Sequence, residues 1–185
     1  MTSPAPEGRP GSRLTHVDDH GHAHMVDITG KAVTRRVAEA RCTVRTSGDV
    51  AAVLDHPSGG LDLVETARVA GVMVAKRTPT LVPLCHPLLL DGIEVEVSVL
   101  PDGFAVRAVT SVADRTGVEM EALTACAGAA LVLVQGLLDV DPGASVEDLT
   151  LWHKSGGRSG VWERPTGAPP PPIPEGLRSE SIEVE

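Results

Sequence analysis

The sequence predicts an α+β domain in which hairpin strands pack against two principal helices. Residues 93–100 and 104–113 alternate apolar and polar side chains around Pro101-Asp102-Gly103, which is typical of a hairpin with a short glycine turn. Residues 62–77 have the stripe of an amphipathic helix, and residues 117–138 form a more apolar one. Two helices and a hairpin of this kind favour a sheet covered by helices.

The more apolar helix carries two carboxylates in its first turn, Glu119 and Glu121, and no full charge afterwards up to Leu138. A helix that is apolar almost all round is expected to be buried. A membrane span is the less favoured alternative, because the apolar run falls short of roughly 20 residues and Gln135 interrupts it. Small residues between positions 125 and 130 would let another backbone approach closely, at a subunit or domain interface.

The remaining elements follow from shorter patterns. Residues 32–46 and 146–153 read as strands, and Ile93, Val95, Val97 and Val99 are expected to face the core. Ser47 is a candidate cap for a short helix through Val50 and Leu54. Prolines at positions 79, 83 and 87 rule out a continuous helix over residues 78–87.

Composition limits the domain count and the class of ligand. The 185 residues suit one domain, residues 14–162, with Pro-rich segments 1–13 and 163–185 expected to be disordered extensions. A net charge of −9 with one Phe and no Tyr argues against nucleic acid, but not against a small anion. Three widely spaced cysteines indicate neither a disulfide framework nor a metal knuckle. Without an apolar leader in the first residues, the expected location is the cytoplasm.

His20, His22 and His24 alternate, so in an extended segment their side chains would share one face, with His16 nearby. A histidine face can bind a transition metal. The alternative is a surface loop shaped by Asp18, Asp19 and Gly21, and it is favoured because His-rich tracts are only a compositional signal. We therefore expect no metal site.

Cys85 and His86 stand side by side in an unusually apolar loop. A catalytic Cys85 would need activation by a base. The alternative, a buried cysteine beside a hydrogen-bonded histidine, is the more common arrangement in proteins.

Lys154 and Arg158 lie in a loop rich in Gly and Ser, which would suit an anion through its backbone N–H groups and mobile positive charge. Four distant segments together supply acids, a histidine and cations for acid–base chemistry on a phosphorylated small molecule. Their residues are Lys76 and Arg77, Cys85 and His86, Glu119 and Glu121, and Lys154 and Arg158.

Several motifs in this order resemble the cyclic pyranopterin monophosphate synthase family, the C protein of molybdenum cofactor synthesis. They are HMVDITGKAVTRR, TARVAG, LVPLCHPL, RTGVEMEALTA and KSGGRSG, spread over residues 14–162. Collinear motifs over a whole domain are far more specific than any one of them.

The resemblance implies a ferredoxin-like antiparallel sheet with helices on one face, and a homohexamer, a trimer of dimers, with sites between subunits. It implies conversion of 3′,8-cyclo-7,8-dihydro-GTP to cyclic pyranopterin monophosphate with release of pyrophosphate, and no cofactor, nucleic acid or membrane. Catalytic roles would fall on His86, Glu121 and the position of Gln135. The substrate-binding positions would be Leu84, Cys85, His86, Glu119, Met120, Glu121, Lys76, Arg77, Arg36 and Lys154. For both carboxylates to face one ligand, Glu119 is expected to precede the regular helix, since residues two apart lie about 200° apart on a helix.

Three positions depart from the family pattern. An Asp and a Lys expected three residues apart in the long helix are Gln135 and Leu138 here, and a second expected Lys falls near Gly60. A Gln cannot take a proton, and losing charged catalytic groups commonly costs orders of magnitude in rate. The sequence therefore leaves open an impaired lyase, a paralogue with a changed reaction, and a non-catalytic subunit that pairs with an active sibling.

Overall fold

A computed structural model describes residues 16–18, 20–54 and 62–165 as one α+β unit. The strands are β1 Thr34–Arg45, β2 Gly92–Leu100, β3 Gly103–Asp114, β4 Ser145–Ser155 and β5 Trp162–Glu163. The helices are α1 Val50–Leu54, α2 Leu63–Ala75, α3 Thr78–Leu81 and α4 Glu119–Leu137. Residues 1–13 and 166–185, together with Gly60, lie outside the described residues.

The five strands form one antiparallel sheet in the order β2-β3-β1-β4-β5. Cross-strand neighbours share a face, so the row of Val95, Ala108 and Ala40 points into the buried core with α2 and α4. The next row, Glu96, Arg107 and Arg41, points to the opposite face. The predicted α+β, ferredoxin-like architecture, with helices packed on one face of an antiparallel sheet, is confirmed.

Helix α4 fills the centre of the core. Leu133 and Leu137 are fully buried, whereas Leu131 on the outer side is 65% exposed. By length and composition alone α4 could cross a membrane, but half of it is buried inside the domain, as in a core helix. The predicted buried helix is confirmed for the face that contacts the sheet.

The small residues of α4 let α2 of the same chain approach closely. A Cβ on Gly71 of α2 would lie 2.9 Å from the Ala125 carbonyl oxygen, and one on Gly128 would lie 2.7 Å from a methyl of Val74. The prediction of a subunit or domain interface at these small residues is therefore corrected: they serve helix–helix packing inside the domain.

Three local predictions need correction, and one is confirmed. Asp49, not Ser47, precedes α1 and accepts a hydrogen bond from the Ala51 N–H, because Ser47 is engaged by Asp141. Val99 is 48% exposed beside the hairpin turn of the edge strand. Residues 78–81 form the short helix α3, since Pro79 is tolerated in a first helical turn, and the helix ends before Pro83, so the prediction of no continuous helix over residues 78–87 is confirmed. Strand β5 and Arg164, which hydrogen-bonds Leu151 and Trp152, keep the chain paired beyond residue 162.

Candidate functional site

The first turn of α4 and the loop after α3 enclose a cleft of about 290 Å³. Hereafter called the acid cleft, it is lined by six predicted residues: Leu84, Cys85, His86, Glu119, Met120 and Glu121. The loop is held in place by a buried pair of hydroxyls, Thr78 Oγ1 and Thr124 Oγ1, 2.6 Å apart. Because this contact ties the start of α3 to α4, the Cys-His pair and the paired acids meet.

Glu121 lies at the inner wall of the acid cleft and is only 3% exposed. Burial raises the pKa of its carboxyl to about 7, and the nearby charge of Glu119 adds to the shift, against a hydrogen bond from its own backbone N–H. Near neutral pH this group therefore exists in both protonation states. Such a group can act as a general acid or a general base.

Cys85 and His86 do not form an activated nucleophile. Burial raises the pKa of the Cys85 thiol, and the negative charge of Glu121 raises it further, so the neutral thiol is favoured. Among the described residues the His86 ring makes no hydrogen bond, and the residue lines the acid cleft. Cys85 is half-buried rather than buried, and His86 lacks the expected hydrogen bond among the described residues, so the pair also departs from the buried-cysteine interpretation.

A second, smaller cavity of about 40 Å³ adjoins the acid cleft and shares Gly117 and Glu119 with it. This cation pocket, as we name it, is lined by Arg36, Val37, Gly117, Val118, Glu119, Lys154, Ser155, Gly156 and Ser159. The Lys154 ammonium lies 3.0 Å from Glu119 Oε1. Two basic side chains from opposite ends of the sequence therefore meet at one corner of the sheet.

The glycines of the KSGGRSG loop make room for Arg36. Gly156 and Gly157 have φ values of +93° and +70°, which L side chains rarely adopt. A Cβ on Gly157 would overlap the Arg36 guanidinium, and one on Gly156 would overlap the Arg35 carbonyl oxygen. The loop can therefore lie against β1 only because both positions lack a side chain.

The two carboxylates reach the acid cleft by a different route from the one predicted. Helix α4 begins at Glu119, with Val118 before it, so the expectation that Glu119 precedes the helix is wrong. Glu119 instead folds back over Gly117, where a Cβ would overlap its carboxylate. Glu119 thus reaches Lys154 while Glu121 points inward, and both line the cleft from within one helical turn.

The other predicted positions lie elsewhere in this chain. Lys76 and Arg77 follow the end of α2, are exposed and line neither cavity. Gln135 is exposed near the end of α4, about 21 Å along the helix axis from Glu121 at 1.5 Å per residue. Leu138 is 47% exposed just beyond it, and Arg158 is exposed in its loop.

The histidine-rich segment folds into a short ribbon bridged between Val17 and Ala23. The Asp18 carboxylate accepts hydrogen bonds from the backbone N–H groups of His20 and His22, whose rings lie 6.3 Å apart. Over the residues that the structure describes, no group of three or more His, Cys, Asp or Glu side chains is placed to hold a metal ion.

Three residues that line the acid cleft with polar side chains were missed as members of the site: His16, Lys31 and Thr116. Lys31 and Thr116 belong to the quoted motifs HMVDITGKAVTRR and RTGVEMEALTA, so the motifs contained a signal. His16 was considered only with the metal-binding alternative. It reaches the cleft because its carbonyl accepts a hydrogen bond from the His24 N–H across the ribbon, a pairing that no local pattern reveals.

Comparison with known proteins settles the family. The profile of the MoaC family matches residues 25–157, which include all the residues that line the two cavities except His16 and Ser159. The chain belongs to the MoaC family. The resemblance seen in the sequence motifs is thereby confirmed.

Curated members of the MoaC family align with most of this chain. Cyclic pyranopterin monophosphate synthase 2 of Mycobacterium bovis and of Mycobacterium tuberculosis are each 51% identical over 154 residues, covering 82% of this chain and 91% of theirs. Cyclic pyranopterin monophosphate synthase of Streptomyces avermitilis is 46% identical over 171 residues, covering 89% of this chain and 99% of its own.

Proposed function

We propose that this member of the MoaC family is a cyclic pyranopterin monophosphate synthase, a lyase of molybdenum cofactor biosynthesis. It converts 3′,8-cyclo-7,8-dihydro-GTP to cyclic pyranopterin monophosphate and releases pyrophosphate. The names of its relatives support the activity. The observation that carries it is Glu121, a buried carboxyl with a pKa of about 7, which faces a cleft joined to a cation pocket.

The two cavities bind chemically different parts of the substrate. The purine-derived ring and ribose lie in the acid cleft against Leu84, Cys85 and Met120, with His86 in hydrogen-bond contact. Glu121 transfers the proton that the rearrangement requires. The phosphates lie in the cation pocket, where Arg36 and Lys154 balance their negative charge, including that of the departing pyrophosphate.

A second copy of the chain completes this site. Lys76, Arg77 and Gln135 match site positions by resemblance, yet in a single chain they are exposed and do not line the acid cleft. We propose a cytoplasmic homohexamer, a trimer of dimers, in which these residues reach the cleft of a neighbouring copy. Light scattering of the purified protein at micromolar concentration should give six times the 19.2 kDa chain mass, and a monomer would contradict the arrangement.

A non-catalytic or neofunctionalised paralogue is the second candidate. The observation that favours it is the replacement of the expected Asp, Lys and Lys by Gln135, Leu138 and Gly60. None of these three side chains can exchange a proton, and removal of such groups commonly lowers rates by orders of magnitude. In this reading the protein binds a related nucleotide or pairs with an active sibling.

One assay separates the two. The purified protein is mixed with the cyclic GTP intermediate, and pyrophosphate and pterin are followed for the wild type and for Q135D/L138K/G60K. Turnover by the wild type supports the synthase. Binding without turnover, rescued by the triple substitution, supports the non-catalytic subunit, and no binding supports a changed ligand. V69K, which adds a lysine on an exposed part of α2, is the matched control and should leave the result unchanged.

A further inference from the structure

The two cavities are joined by a single ion pair. Lys154 Nζ and Glu119 Oε1 are 3.0 Å apart, and their side chains remain 32% and 30% exposed. Glu119 lines both the acid cleft and the cation pocket, whereas Lys154 lines only the pocket. The main cation of the pocket is therefore already occupied by a carboxylate of the protein itself.

The pocket also has donors that Glu119 does not use. Arg36 donates from Nη2 to the Arg115 carbonyl oxygen at 3.3 Å, but its Nε is buried and lacks a hydrogen-bond partner among the described residues. Leaving a buried charged donor without an acceptor is unfavourable. Ser155 and Ser159 add hydroxyl groups to the same wall. An anion with several oxygens would satisfy this set better than one carboxylate can.

The Glu119 side chain is placed so that it can move away from Lys154. Its side chain occupies the volume that a Cβ on Gly117 would fill, and the carboxylate is the mobile end of a flexible, partly exposed side chain. Ion pairs of this exposure are weak, so little free energy opposes exchange of the acceptor on Lys154.

We propose that Glu119 is an exchangeable internal counter-ion of the cation pocket, which occupies Lys154 until a phosphate group of the substrate displaces it. It thereby selects ligands with several anionic oxygens over singly charged ones. The inference rests on the proposed function, because it assigns the pocket to the substrate phosphates. Glu119 acts here on the affinity for the phosphate chain through Lys154, which makes it a specificity-determining residue.

Inorganic tripolyphosphate is the probe, and its dissociation constant is measured by calorimetry on the full chain. In Glu119→Gln the affinity should rise about fivefold, which is the effect expected when a competing surface ion pair is lost. In Lys154→Gln the affinity should fall. In the double variant, Glu119→Gln should add no gain, because the carboxylate no longer has a cation to occupy. Glu65→Gln, which removes the same charge from an exposed pair on α2, should leave affinity unchanged.

Simple repulsion between Glu119 and phosphate predicts the same gain in both Lys154 backgrounds, and that result overturns the inference. So does an unchanged or lowered affinity in Glu119→Gln, or an absence of tripolyphosphate binding to the wild type. Should a variant not fold, the wild type answers the question by NMR. On titration with tripolyphosphate, the Glu119 carboxylate and the Lys154 ammonium resonances should shift together while the Glu65 carboxylate does not, and independent shifts overturn the exchange.

Turnover of the cyclic nucleotide is measured on the same preparations, so the two proposals can fail separately. If tripolyphosphate affinity depends on Glu119 through Lys154 but there is no turnover, the counter-ion proposal is supported and the synthase proposal is contradicted. If there is turnover without that dependence, the synthase proposal is supported and the counter-ion proposal is contradicted.

Discussion

Two glutamates in this domain are both largely removed from water, and their pKa values move in opposite directions. Glu39 lies on the face of the sheet opposite the core, where burial is outweighed by hydrogen bonds and charge from Arg107 and Arg41, so its pKa is lowered. Glu121 lies in the acid cleft, where burial is reinforced by the charge of Glu119, so its pKa is raised to about 7.

The two pKa values shift in opposite directions because the two carboxylates have different charged neighbours. On the sheet, Glu39, Arg41, Arg107 and Glu96 form a closed network with contacts of 2.6 to 3.1 Å. In the cleft, Glu121 faces another acid and a neutral thiol. Residues whose charges are satisfied inside the protein stabilise the fold. A titratable group left without an opposite charge is available to a ligand, which is why perturbed groups indicate functional sites.

The largest expected effect follows from removing the ionisable group of the cleft. Glu121→Gln should lower turnover of the cyclic nucleotide about 100-fold or more, since general acid–base catalysis contributes about that much. The melting temperature should not fall, because the variant no longer buries a carboxylate. Turnover within threefold of wild type would exclude Glu121 as the proton-transfer group. Glu94→Gln, at an exposed position of β2, serves as the control.

The network on the sheet should respond in the opposite way. Arg107→Leu leaves Glu39 and Glu96 without their shared cation and should lower the free energy of unfolding by about 2–3 kcal/mol. Denaturant titration measures this. Arg45→Leu, which breaks only exposed pairs with Asp102 and Glu147, should cost less than about 1 kcal/mol. If both variants lose the same free energy of unfolding, the more buried ion pairs of Arg107 stabilise the fold no more than the exposed pairs of Arg45.

The dependence of stability on pH should separate the two glutamates. Glu121 has a folded pKa of about 7, above its usual 4.5. Protonated Glu121 therefore favours the folded state below pH 4.5, and that contribution is lost as pH rises to 7, by about 3 kcal/mol for a shift of this size. Glu39 has a lowered pKa. Its contribution is present above pH 4.5 and is lost as pH falls further.

Unfolding titrations between pH 3 and 8, for the wild type and for the Gln variant of each glutamate, give the two contributions by difference. The contribution of Glu121 should decline with rising pH, and that of Glu39 should increase with it. Slopes of the same sign would mean that the two environments do not differ in the way described.

The smallest effect is expected at Cys85. Because the pKa of its thiol is raised, Cys85→Ser should change turnover by less than about threefold, and iodoacetamide should react with Cys85 more slowly than with free cysteine at pH 7.5. Complete loss of turnover together with rapid alkylation would instead mark a nucleophile.

Local patterns predicted the sheet, α2 and α4, because side-chain period and the Asp62 cap are properties of neighbouring residues. The meeting of Glu121 with His86 was predicted through resemblance, as no short-range rule brings residues 35 positions apart together. The position of Val99 and the role of the small residues of α4 depend on which helix covers which part of the sheet. His16 lines the acid cleft because its carbonyl oxygen accepts a hydrogen bond from the His24 N–H, and composition does not predict this backbone pairing.

The overlap that a Cβ on Gly157 would make with Arg36 has a consequence for variation in this chain. The Arg36 guanidinium occupies the space that a side chain at position 157 would need, so substitutions at Arg36 and Gly157 are expected to depend on each other. A bulkier residue at position 157 would need a smaller one at position 36 and would still be strained at a φ of +70°, and such a paired change would remove a cation from the pocket as well.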